Sequence, residues 1–155
     1  ALEPVDAGGR FFYCPPNSAA NAHFLSMLRN TLVQDWDLDD DGRPETLRLL
    51  FATPKRWLED GKVIAVERVP TAFGEVALRV ESKLGAGEVL ADVTLPTREP
   101  AKRTLLRIRV PDGWRVVTAA TTGAASRSLL VDERGSVDLT ALSGRVALRF
   151  QVRKN

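Results

Sequence analysis

Leu47-Arg48-Leu49-Leu50-Phe51-Ala52-Thr53-Pro54-Lys55-Arg56-Trp57-Leu58-Glu59-Asp60-Gly61-Lys62 separates two kinds of sequence in this chain. It runs apolar from Leu47 to Ala52, breaks at Pro54, carries a tryptophan at 57 and turns at Asp60-Gly61. Ahead of it lies the one helical pattern, and behind it every signal has period two or is a short apolar run. Val76, Leu78 and Val80 alternate with Ala77, Arg79 and Glu81; Val146, Leu148, Phe150 and Val152 alternate with Ala147, Arg149, Gln151 and Arg153. Leu106, Ile108 and Val110 alternate with Leu105, Arg107 and Arg109 in the same way. Such alternation belongs to antiparallel sheets with one buried face.

Strands are expected near 47–52, 63–69, 75–82, 88–95, 103–110, 115–121, 128–132, 136–139 and 145–153. Turn signals separate them, among them Asp60-Gly61, Phe73-Gly74, Pro111-Asp112-Gly113, Arg134-Gly135 and Ser143-Gly144. Eight or nine short strands so punctuated read as a mainly β fold, an antiparallel β-sandwich over 47–155.

Working back from the central stretch, residues 37–46 form an acidic loop and residues 18–36 a long N-terminal α-helix. Ala22, Leu25, Leu28, Leu32 and Val33 fall on one stripe that Trp36 closes, and Phe24, Met27 and Thr31 widen it. A stripe this broad predicts contact on two sides. Asn17 or Ser18 can cap the helix. Residues 1–17 are a lead-in with an apolar knot, Phe11-Phe12-Tyr13-Cys14, that should pack on a neighbour. The abrupt start suggests a domain taken from something longer.

Composition narrows the functions open to the chain. Its 155 residues suffice for one core, and the net charge of +2 arises from interleaved acids and bases. That argues against nucleic-acid binding through a broad basic face. No apolar run approaches the roughly 20 residues of a membrane span. A single cysteine, Cys14, excludes an internal disulfide. His23 stands alone on the helix, where a packed or interface role is expected rather than a catalytic triad.

The sharpest local motif is Asp37-x-Asp39-x-Asp41-Gly42-x-x-Glu45. Alternating acids converge on a hard cation and the glycine permits the tight turn, so Asp37, Asp39, Asp41 and Glu45 are the expected ligands of a calcium ion. The twelfth position is Arg48 instead of a bidentate acid, and the sequence beyond reads as strand, which argues against an EF-hand. The competing reading is an exposed acidic turn. Trp57, Trp114 and Phe73 are candidate sugar-stacking aromatics, against core anchors as the simpler expectation. Arginines on strand faces, such as Arg79, Arg107, Arg109, Arg149 and Arg153, should pair with acids across the sheet.

Leu49 to Trp57 followed by Asp60-Gly61-Lys62 resembles a passage of bacterial glycoside hydrolases. In those enzymes it leads from the last helix of a six-hairpin α/α barrel into a C-terminal β-sandwich, and fucosidase-type barrel enzymes carry a related passage. Val69-Pro70-Thr71-Ala72-Phe73-Gly74 and Pro111-Asp112-Gly113-Trp114 are similar to later segments of the same sandwiches. The Asp37–Glu45 insertion departs from that pattern, in which helix and passage are joined more directly. The resemblance implies a non-catalytic C-terminal accessory domain that stabilises or docks on the catalytic barrel of its parent. The sequence leaves the cellular address open, with secretion or the periplasm slightly favoured. Catalytic carboxylates would lie in the barrel, so none is assigned to this chain. The alternative is a carbohydrate-binding module with exposed aromatics and structural calcium; a self-contained enzyme ranks last. Self-association through the 18–36 helix is expected where the barrel is missing.

Overall fold

The computed structural model describes residues 18–37, 39–123 and 126–155. The lead-in, with its Phe11–Cys14 knot and the Asn17 cap, lies outside them. The chain divides into two units, Ala1–Asn30 and Thr31–Asn155.

Helix α1 spans Ser18–Leu32 and contains no buried residue. Phe24, Leu25, Met27 and Leu28 are exposed, and so is His23. The helix stops one turn short of its expected end. Val33–Trp36 is instead strand β1, paired antiparallel with β2, Thr46–Leu49, in the register Val33↔Leu49 to Trp36↔Thr46. Val33 is β-branched and suits this strand, where it is fully buried against the core. The helical period carried past residue 32 because Val33 and Trp36 satisfy both patterns.

The second unit is mainly β, with two sheets around a common core, as expected of a sandwich. The smaller sheet has the order β1-β2-β6-β9, with β6 at Arg103–Arg107 and β9 at Ser136–Asp138. The larger has the order β3-β4-β5-β10-β7-β8. Its strands are Val63–Thr71 (β3), Gly74–Lys83 (β4), Glu88–Leu95 (β5), Trp114–Thr121 (β7), Ser128–Leu129 (β8) and Gly144–Lys154 (β10). All neighbours run antiparallel except β2 and β6, which are parallel. The chain leaves the small sheet after β2, builds three strands of the large one, and returns at β6.

The alternating positions face the core as their spacing requires. Val76, Leu78 and Val80 of β4, Val146, Leu148, Phe150 and Val152 of β10, and Leu47 and Leu49 of β2 are all buried. Phe150 is fully buried near the centre of β10, between β5 and β7. Truncating such a ring to alanine costs about 3–5 kcal/mol.

The central stretch makes the crossing between the sheets. β2 ends at Leu49, earlier than the apolar run suggests, because Leu50 takes a left-handed conformation with φ 62°. Its carbonyl accepts a 3.0 Å hydrogen bond from the buried Thr53 hydroxyl. Pro54 then starts a 3-10 turn, Lys55–Leu58, whose Leu58 is fully buried and whose carbonyl accepts from the Ser82 hydroxyl at 2.7 Å. Two buried hydroxyls thus satisfy carbonyls that no ladder reaches.

Candidate metal centre

The Asp37–Glu45 segment is the connection of the β1–β2 hairpin, closed by a 3.0 Å hydrogen bond from the Glu45 amide to the Trp36 carbonyl. Asp37 organises the turn. Its two carboxylate oxygens accept hydrogen bonds from the amides of Asp40 (2.9 Å) and Gly42 (2.7 Å). Asp41 accepts from the Arg43 amide at 2.8 Å. Asp40 and Gly42 sit at φ 60° and 80°, the left-handed region that asparagine, aspartate and glycine tolerate best.

One carboxylate oxygen each from Asp37, Asp39, Asp41 and Glu45 lies within 4.8 Å of the others. Two calcium–oxygen bonds of about 2.4 Å placed end to end span about 4.8 Å, so oxygens this close can all reach one ion. Asp39 and Asp41 are exposed, whereas Asp37 and Glu45 are partly buried at the foot of the hairpin. The hydrogen-bonding contact with Glu45 holds Asp39's carboxyl below its ordinary value. The donor set is all oxygen and sits on a compliant loop. It suits calcium better than magnesium, which demands shorter bonds and near-octahedral geometry. Arg48 supplies no ligand: its guanidinium lies over the Trp36 ring, 4.5 Å from the centroid.

The aromatic candidates do not share a surface. Trp57, Trp114 and Phe73 are each partly buried and packed against the core. Trp114 lines one depression, beside Arg115 and Lys55; Phe73 lines another, beside Pro96 and Arg98. Trp57 lines neither. Trp114 also carries the Lys154 ammonium 5.4 Å from its ring centroid.

The strand arginines divide. On the large sheet Arg149 pairs with Glu88 at 3.5 Å, and Arg145 with Asp92 at 3.8 Å. On the small sheet Arg107 faces Ser136 in the ladder and meets no acid there. The Arg107-x-Arg109 alternation was visible as a polar face. What the sequence hides is that the turn Asp132-Glu133-Arg134-Gly135 adds a further arginine to that face, together with Glu133, which forms no ion pair there.

No family model matches the chain, and neither a curated protein nor a solved structure is significantly similar to it.

Proposed function

We propose that this chain is a non-catalytic accessory β-sandwich of a larger carbohydrate-active protein, and that its β1–β2 loop is clamped by calcium. The observation that carries the calcium clamp is the convergence of the Asp37, Asp39, Asp41 and Glu45 oxygens within 4.8 Å. Gathered without a cation, these carboxylates repel, each close pair by about 1 kcal/mol in water. A divalent ion turns that repulsion into a tie between the end of β1 and the start of β2. Its role is structural: it fixes the hairpin at the edge of the small sheet.

The accessory role is supported by α1. Phe24, Leu25, Met27 and Leu28 are large apolar side chains left exposed on one helix, 65, 63, 69 and 39 % respectively. The partner in this reading is the catalytic α/α barrel of the same parent, as the Leu49–Lys62 resemblance implies; without it, the helix self-associates. A second reading, glycan binding, draws support from Trp114 on the wall of a cleft.

A thermal melt with calcium and then with EDTA tests the clamp. Calcium at about 100 times its Kd should stabilise by about 2.7 kcal/mol, a rise of several degrees for a domain this size. Identical melts would remove calcium from the account. Gel filtration tests the docking role: Leu25→Ser with Met27→Ser should abolish concentration-dependent association. A strict monomer before substitution would remove the helix as a docking arm. Quenching of tryptophan fluorescence by neutral polysaccharide, lost in Trp114→Ala, would favour the second reading.

A further inference from the structure

A cleft of about 270 Å³ opens where β6 meets the 132–135 turn and the start of β7. Lys55, Arg107, Arg109, Arg115 and Arg134 line it, with Glu133 as the only acid. Lys55 is engaged outside it by an ion pair with Asp112. Among the described residues none of the four arginines forms an ion pair, and neither does Glu133. Surface arginines without a partner are ordinary, but Arg107 and Arg109 are half-buried and side by side on one face of the chain. Placing two like charges together out of water is unfavourable unless something offsets it.

The two guanidiniums are also held in place. Arg107 Nε donates to the Arg134 carbonyl at 3.0 Å, and its plane lies over the Phe51 ring, 5.8 Å from the centroid. Arg109 Nη1 donates to the Phe51 carbonyl at 3.4 Å. These contacts use one N–H of each fork and leave the others without a protein acceptor. Burial, then the charges of Arg109 and Arg134, push the Arg107 guanidinium below its ordinary value, with only Asp132 acting the other way. Fixed forks with free donors, in a small concave site where four arginines outnumber one unpaired acid, match what bidentate oxyanion recognition requires.

We propose that the Arg107–Arg109–Arg134 cleft binds a compact anionic ligand through a carboxylate, sulfate or phosphate group. The size of the cleft favours a single oxyanion on a small molecule or sugar unit over an extended polymer. The adjoining depression, about 410 Å³, shares Arg107 and Arg134 with the cleft and adds Arg48 and Arg103, but Asp132 and Asp138 line it too, the latter paired with Arg103 at 3.7 Å, so the charge there is partly neutralised. Trp114 on the wall gives an attached ring a face to lie against.

Calorimetric titration of the full chain with sodium sulfate, sodium phosphate and sodium galacturonate tests this. The protein is stripped of calcium with EDTA and dialysed into chelator-free buffer, and each titration is run at ionic strength matched with chloride, which keeps the result independent of the calcium reading. At least one should bind saturably, and the preferred probe identifies the oxyanion. Arg107→Gln with Arg109→Gln should weaken that binding about 10-fold or more, and Arg134→Gln, at an exposed position, should weaken it without disturbing the fold. Arg98→Gln, outside the cleft, should leave it unchanged. No saturable heat with any probe would overturn the proposal. So would equal losses in the Arg98 and Arg134 variants, or unchanged affinity in a folded Arg107/Arg109 variant. Tighter, steeply salt-dependent binding of a DNA oligomer than of every small anion would also overturn it.

Discussion

The small sheet carries two concentrations of like charge, built in opposite ways. The acidic one, on the β1–β2 loop, is local: its four carboxylates lie within nine consecutive residues, and the loop's own amides shape it. The basic one, around β6, is assembled from distant segments: Lys55 after β2, Arg107 and Arg109 on and beyond β6, Arg134 in the turn before β9, and Arg115 on β7. A local cluster can tolerate a mobile loop. A cluster assembled by tertiary packing exists only while the packing does. Damage confined to the packing around β6 should therefore abolish the basic site and spare the acidic one, which needs only the paired β1–β2 hairpin.

Glycine substitutions break this comparison most forcefully. Gly135 sits at φ 77°, and a Cβ there would meet the Ile108 carbonyl oxygen at 2.7 Å. The close approach is what brings the turn against β6, where the Ile108 amide donates to the Gly135 carbonyl at 2.9 Å. Gly42 has a similar φ of 80° but open space around it. Gly135→Ala should cost about 2–4 kcal/mol, from left-handed strain plus a backbone clash, and Gly42→Ala about 1 kcal/mol, from strain alone. Urea unfolding measures both. Equal costs would mean that the turn before β9 is free to move away, and the basic cleft would then lose its fixed geometry.

The next test crosses the two sites. Asp39→Asn with Asp41→Asn should erase the stabilisation of about 2.7 kcal/mol expected from excess calcium and leave anion binding intact. Arg107→Gln with Arg109→Gln should do the reverse. Thermal melts with calcium and calorimetry with the preferred anion read the two columns. If either double substitution removed both responses, the sites would be coupled through β2, and the account of two independent clusters would fail.

The same contrast explains what could be read from sequence. The sandwich was legible because its core positions alternate: the runs at Val76–Val80 and Val146–Val152 assign both faces of β4 and β10 without reference to any partner. The acidic loop was legible because spacing alone brings its acids together. The start of β1 was not, since Val33 and Trp36 fit a helical stripe as well as a strand, and only pairing with Leu49 and Thr46 decides between them. The parallel β2–β6 pair depends on where the chain returns after β5, which no local pattern encodes. The basic cleft is not legible in the sequence for the same reason. Arginines on an alternating face imply acids opposite, and the register that sets Ser136 against Arg107 is a tertiary fact.

The smallest effect concerns Asp132, which stands between the clusters in character: an acid inside the basic region. Its carboxylate accepts from the amides of Arg134 and Ser136, both at 2.8 Å. Burial pushes its carboxyl up, but the bonds from Ser136 and Arg134, with the Arg107 charge, bring it below its ordinary value. A carboxyl depressed in the folded state stabilises the fold above the unfolded-state value, and that contribution is lost as pH falls through the folded one. Asp132→Asn keeps the shape and removes the charge. It should cost under about 1 kcal/mol at neutral pH, because the group is largely solvated, and the gap from the unsubstituted chain should close as pH falls through the lowered folded-state value. Chemical denaturation at neutral and at acid pH measures it. A gap that persisted in acid would assign Asp132 a purely geometric role in holding the turn; a gap of the opposite sign would mean that the Arg107 charge contributes less to its environment than the surrounding desolvation.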